Sequence, residues 1–146
     1  MPNTNSPTFL PNSGSVYTNR FLEIRCQTEA LAKPLSPEDQ QVQSIPDVSP
    51  TKWHLAHTSW FYETFLLLPN LPDYTVFDEN FGFLFNSYYE AVGPRQLRAE
   101  RGLVTRPALA QISCWSALAL NEACCMVNRG GKVCLAAFHP NRCPST

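Results

Sequence analysis

Between Ser49 and Pro69 the chain reads SPTKWHLAHTSWFYETFLLLP, and Trp53, His57, Trp60, Thr64 and Leu67 recur at three-to-four spacing. That period predicts an amphipathic helix, started by Ser49-Pro50 and stopped by Pro69. Phe21, Ile24, Thr28 and Leu31 predict an earlier helix, with Thr18 or Asn19 as cap and Pro34 as stop. Phe81, Leu84, Phe85, Tyr88 and Val92 predict a third, closed by Gly93-Pro94. Ile112, Trp115, Ala119, Ala123 and Met126 predict a fourth, ending at Gly130-Gly131. Ser36-Pro37-Glu38-Asp39 supplies a cap, a proline and first-turn acids, the signature of a short connecting helix. No segment alternates convincingly with period two. The expected fold is therefore all-α, an up-and-down four-helix bundle with longer crossovers after the first and third helices.

Residues 1–16 are rich in Pro, Asn, Ser and Thr and offer little to bury, so they are expected to be a disordered lead-in. The helical domain is expected over 17–128, with 129–146 an irregular tail. A length of 146 residues suits one domain with a real core. The net charge of −1 gives no electrostatic reason to expect a nucleic acid or an anionic membrane as partner. The chain has no run of about eighteen apolar residues, and its start lacks the basic and apolar regions of a secretory signal. A cytoplasmic location is the expectation. Five of the six cysteines, Cys114, Cys124, Cys125, Cys134 and Cys143, lie in the last third, and Cys26 stands apart. This is not the spread of a disulfide framework, and free thiols are expected. With His139 they match no standard zinc spacing.

The chemistry concentrates at His54 and His57. On a helix they project about 60° apart, so both can face one groove. Glu63 lies about 180° from His54 by the same geometry and cannot complete a site from that helix. Further ligands would have to come from another helix, where Glu90, Asp78 and Glu122 are unspecific candidates, and His139 lies beyond the predicted bundle. From composition alone, a histidine between Trp53 and Trp60 is more often a hydrogen-bonded core or groove residue than a ligand. No glycine-rich phosphate loop and no Ser-His-Asp arrangement can be argued.

The segments LSPEDQQVQSIPDVSPTKWHLAHTSWFYETFLL, FGFLFNSYYEAVGPR and RGLVTRP resemble the amino-terminal DinB-like domain of the ergothioneine-biosynthesis sulfoxide synthases. The similarity runs from about Arg20 to about Leu109. It implies a DinB-like four-helix bundle and an iron(II)- and oxygen-dependent reaction joining a cysteine-derived thiol to the imidazole ring of trimethylhistidine as a sulfoxide. It also implies an iron held by three histidines: the last of the W-x-L-A-H motif, here His57, and two from a later H-x-x-x-H. The resemblance favours a supporting role for His54 over ligation. It places the FNSYYEAVGPR segment beside the substrate, with Arg95 as a candidate for a substrate carboxylate.

After about Leu109 the likeness stops. No H-x-x-x-H follows, and the carboxy-terminal domain expected to complete the pocket is not in the sequence. The expectation is a truncated bundle, incomplete at its carboxy terminus, with an out-of-frame or decayed tail and no stable hold on iron(II). The alternatives are a non-catalytic DinB-like module whose site a companion chain completes, and a helical domain without metal.

Overall fold

The computed structural model describes residues 13–128, and within them it is all helices, turns and loops. Helix α1 spans Ser13–Ala32, α2 Thr51–Tyr62, α3 Leu68–Asn70, α4 Phe81–Phe85 and α5 Leu109–Asn128. A π-helical stretch, Glu63–Leu67, joins α2 to α3, so this helical rod runs past the expected stop at Pro69. Short 3-10 turns occur at Asp39–Gln41 and Arg98–Leu103. The first is locked by reciprocal bonds between Ser36 and Asp39, each backbone N–H donating to the other's side chain.

The core lies mainly between α2 and α5. Trp53, Ala56, Trp60 and Leu67 meet Ile112, Trp115, Ala119 and Ala123, with Phe81 and Phe85 closing one side. Trp115 packs against the Phe81 ring at 4.7 Å between centroids, with Phe85 at 5.9 Å. Burying each such side chain contributes about 1.5–3 kcal/mol. All five apolar positions of the α5 stripe are buried, as the periodicity requires.

Two elements depart from expectation. On α1 the inward face carries Thr18, Arg25 and Ala32, whereas Ile24 and Leu31 are exposed. Arg25 turns that face inward by donating to Thr58 Oγ1 and Ser116 Oγ, both at 2.9 Å. The helix also opens at Ser13, ahead of the expected Thr18 or Asn19 cap. The expected third helix is only one turn long, because buried Asn86 takes an extended conformation and its Nδ2 donates to the carbonyls of Tyr89 and Gly93. Tyr88 and Val92, expected on its buried face, are exposed.

Cys114 is disulfide-bonded, which corrects the free-thiol reading there, while Cys26 is a free, exposed thiol. Among the described residues no helix is long and apolar enough to cross a membrane. The expected 129–146 tail, with His139, lies outside the described residues.

Candidate functional site

Helical spacing on α2 puts Trp53, His57 and Trp60 in one stack. The His57 ring lies 4.7 Å from the Trp53 ring at 11°, and 5.4 Å from Trp60 at 21°. The early end of α4 supplies the next layer. The helix stops at Phe85, so the carbonyls of Leu84 and Phe85 accept from side chains: Trp53 Nε1 donates to Leu84 at 2.9 Å and His57 Nδ1 to Phe85 at 2.7 Å.

A carbonyl can only accept, so Nδ1 carries the proton and the lone pair of the neutral ring is left on Nε2. Burial lowers the His57 pKa, and the Phe85 bond opposes this while the Arg101 charge reinforces it. The ring is thus held neutral, with a fixed tautomer, in the state that a metal or a proton donor meets. His54, one turn earlier, is exposed and stands edge-on to Trp53 at 5.5 Å. Its pKa is lowered by partial desolvation, then by the charges of His57, Arg101 and Arg98.

Periodicity gave no reason to expect the cationic wall. Arg101 is 3% exposed, and its guanidinium lies over the Trp53 face at 3.5 Å. It donates to Ser49 Oγ at 2.8 Å and approaches the Asn86 carbonyl at 3.5 Å. Ser49, expected to start α2, serves this arginine instead. Arg95 and Arg98 both lie over the Tyr88 ring, at 5.1 and 5.0 Å, and Arg98 also bonds the Tyr88 hydroxyl. Burial is the main reason the Arg101 pKa is pushed down to about 10, with the charges of Arg98 and Arg95 adding to it. Among the described residues, no carboxylate lies within ion-pair distance of these three arginines.

Gln43 holds this segment in place. Its Oε1 accepts from the Gly102 N–H at 2.6 Å, and its Nε2 donates to the Arg98 carbonyl at 2.7 Å. A Cβ on Gly102 would meet Gln43 Cβ at 2.7 Å, so the close approach needs glycine. Of Arg95, Arg98 and Arg101 the sequence marks Arg95 alone, because nothing local shows that the Arg98–Leu103 turn folds back onto Trp53.

The sequence candidates for further metal ligands do not converge. Asp78 Oδ1 accepts from its neighbour Asn80, Glu90 is exposed, and the Glu122 charge acts on Tyr74. Among the described residues no group of three His, Cys, Asp or Glu side chains is placed to hold a metal ion. The arrangement offers one neutral imidazole lone pair beside a cationic wall, which suits an anionic group.

A pH dependence follows. Both histidines have folded-state pKa values below the usual imidazole value of about 6.5, so the unfolded chain binds protons more readily. Their contribution is present above about 6.5 and is lost as pH falls toward the folded values. Urea unfolding at about pH 7.5, 6.5 and 5.5 should show stability falling over that interval. His54→Phe/His57→Phe should flatten the fall, and an unchanged slope in this variant would assign the effect elsewhere.

No protein-family model matches the chain, and no curated protein matches it.

Proposed function

We propose that this chain is the amino-terminal, DinB-like part of an iron(II)- and oxygen-dependent sulfoxide synthase of ergothioneine biosynthesis, with no turnover by itself. One observation carries the reading. The histidine that the sequence resemblance assigns to iron, His57, has its Nδ1–H fixed on the Phe85 carbonyl at 2.7 Å, the tautomer that leaves Nε2 for a metal. Its flanking indoles fix the ring plane as well.

The described residues supply one ligand and not three, so by themselves they do not fit an iron(II) site. No chemical step is assigned to them. Their part is to orient one imidazole and to offer Arg95, Arg98 and Arg101 to the carboxylates of trimethylhistidine or of the cysteine-derived thiol. His54 acts from the side, through its contact with Trp53 and its charge coupling to His57.

A second reading has its own support: a non-catalytic DinB-like module whose site a companion chain completes. Phe61, Phe65 and Tyr89 are exposed and in mutual contact beside Trp60. Such a contiguous aromatic surface is a feature of protein contacts.

Cobalt(II) is a suitable paramagnetic probe for both. Titrated into the isotopically labelled full chain, it should broaden the His57 ring resonances first, through Nε2, and weakly, as one ligand dictates. His57→Phe should remove the effect and His54→Phe should leave it. Broadening confined to His54, or none at millimolar metal, would sink the ligand assignment. Sulfoxide made by the chain alone from trimethylhistidine, a cysteine-derived thiol, iron(II) and oxygen would sink the claim of inactivity.

A further inference from the structure

Four buried side-chain nitrogen or oxygen atoms among the described residues lack a hydrogen-bond partner: Arg25 Nε, Gln40 Oε1, Asn86 Oδ1 and Arg101 Nε. The last two belong to the surroundings of His57. Arg25 and Gln40 instead line one cleft between α1 and α5, with a volume of about 570 Å³. Small-molecule sites span about 300–1,000 Å³, so the space is sufficient.

The floor of the cleft is polar and buried. Arg25 is 6% and Gln40 5% exposed. The two terminal nitrogens of Arg25 donate to neutral hydroxyls, those of Thr58 and Ser116. Its nearest carboxylate, Glu29, is 3.9 Å away, and the Glu29 side chain is 64% exposed. A buried cation so weakly countered favours an anion beside it. Lys33 adds a second positive charge at the rim, which Glu29 alone opposes. Gln40 Nε2 is committed to the carbonyls of Ala32 and Leu35, at 3.3 and 3.2 Å, which fixes the amide and leaves Oε1 as an acceptor. Leu55, Leu109 and Ile112 give the walls an apolar character.

We propose that this cleft is a second ligand site, which takes a small monocarboxylate carrying a hydroxyl or amino donor. The carboxylate faces Arg25 and Lys33, the donor faces Gln40 Oε1, and a short aliphatic body lies against the apolar walls. The site uses none of the residues around His57 and does not depend on the function proposed above.

Calorimetric titration of the full chain with L-lactate, propionate and propane-1,2-diol separates the recognition elements. L-lactate should bind saturably at one site. Propionate, which leaves Gln40 unpartnered, should bind about tenfold more weakly, and propane-1,2-diol, without the carboxylate, should show no saturable binding. Arg25→Met should abolish lactate binding, although it also removes the bonds to Thr58 and Ser116. Ala117→Phe is the cleaner variant, because it fills the cleft from an exposed position of α5. It should lose lactate binding while keeping the unfolding midpoint and the cobalt(II) response of His57. Absence of saturable lactate binding, equal binding of the three probes, or wild-type affinity in Ala117→Phe would overturn the proposal.

Discussion

Glu63→Ala is expected to lower the unfolding free energy by about 4 kcal/mol, the sum of the donors it strands. Glu63 is 3% exposed, and its Oε1 accepts from the Tyr74 hydroxyl at 2.8 Å, the Phe77 N–H at 3.0 Å and Trp115 Nε1 at 3.2 Å. It thereby ties the loop after α3 to the centre of α5. Truncation strands one buried donor, Trp115 Nε1, and two part-buried ones, the Tyr74 hydroxyl and the Phe77 N–H, at about 1–3 kcal/mol each, offset in part by water reaching the part-buried pair. Glu63→Gln keeps an acceptor at the same place and should recover most of the loss. Urea unfolding followed by far-ultraviolet circular dichroism checks both variants. A Glu63→Ala chain within about 0.5 kcal/mol of the parent would show that solvent replaces these bonds at no cost.

Tyr74 offers a second readout of the same contact. Burial, and after it the Glu63 charge and hydrogen bond, hold its phenol far above the usual range. Folding therefore keeps Tyr74 protonated where the unfolded chain ionises, so its contribution is complete below about pH 10 and is lost above it. In an alkaline spectrophotometric titration Tyr74 should ionise only with unfolding, and Glu63→Gln should bring its ionisation down.

These contacts show what period and composition reveal and what they conceal. The α5 stripe was legible because packing against α2 uses apolar groups at helical spacing, and Ile112, Trp115, Ala119, Ala123 and Met126 are all buried. The same rule failed on α1, where a buried arginine outranks Ile24 and Leu31 because two hydroxyls wait for it on other helices. It failed again after Phe85, since Asn86 satisfies Tyr89 and Gly93 carbonyls by leaving the helix. Residues that act through long-range hydrogen bonds leave no periodic trace.

The candidate site divides in the same way. His57 was legible as a helix-face histidine, and the angular reading that Glu63 points away from His54 agrees with where Glu63 finds its partners. The tautomer of His57 was not legible, because it is set by the carbonyl of a residue 28 positions away. Arg101 was missed for a similar reason. A guanidinium over an indole requires the Arg98–Leu103 turn to fold back onto the start of α2, and only tertiary contacts decide that.

Lys52→Met should cost about 3 kcal/mol and should loosen the cationic wall as well. Lys52 is 3% exposed in the first turn of α2. Its ammonium donates to Gln41 Oε1 at 2.8 Å and to the carbonyls of Val104, Thr105 and Pro107 at 2.9, 3.4 and 3.2 Å. Desolvation lowers its pKa, so burial of the charge is itself unfavourable and the four acceptors offset it. Methionine has similar length and removes the buried charge, but it strands the carbonyls of the segment that follows Arg101. The stranded acceptors outweigh the saved desolvation, because loop carbonyls without partners cost about 1–3 kcal/mol each when they stay buried. With that anchor gone, Arg101 should no longer be held over Trp53. Arg101→Ala, which removes the guanidinium from the Trp53 face, should change the indole signal in near-ultraviolet circular dichroism, and the Lys52→Met chain should show the same change as well as lower stability. A stability loss with the Trp53 signal intact would mean that Ser49 and Gln43 alone position the wall.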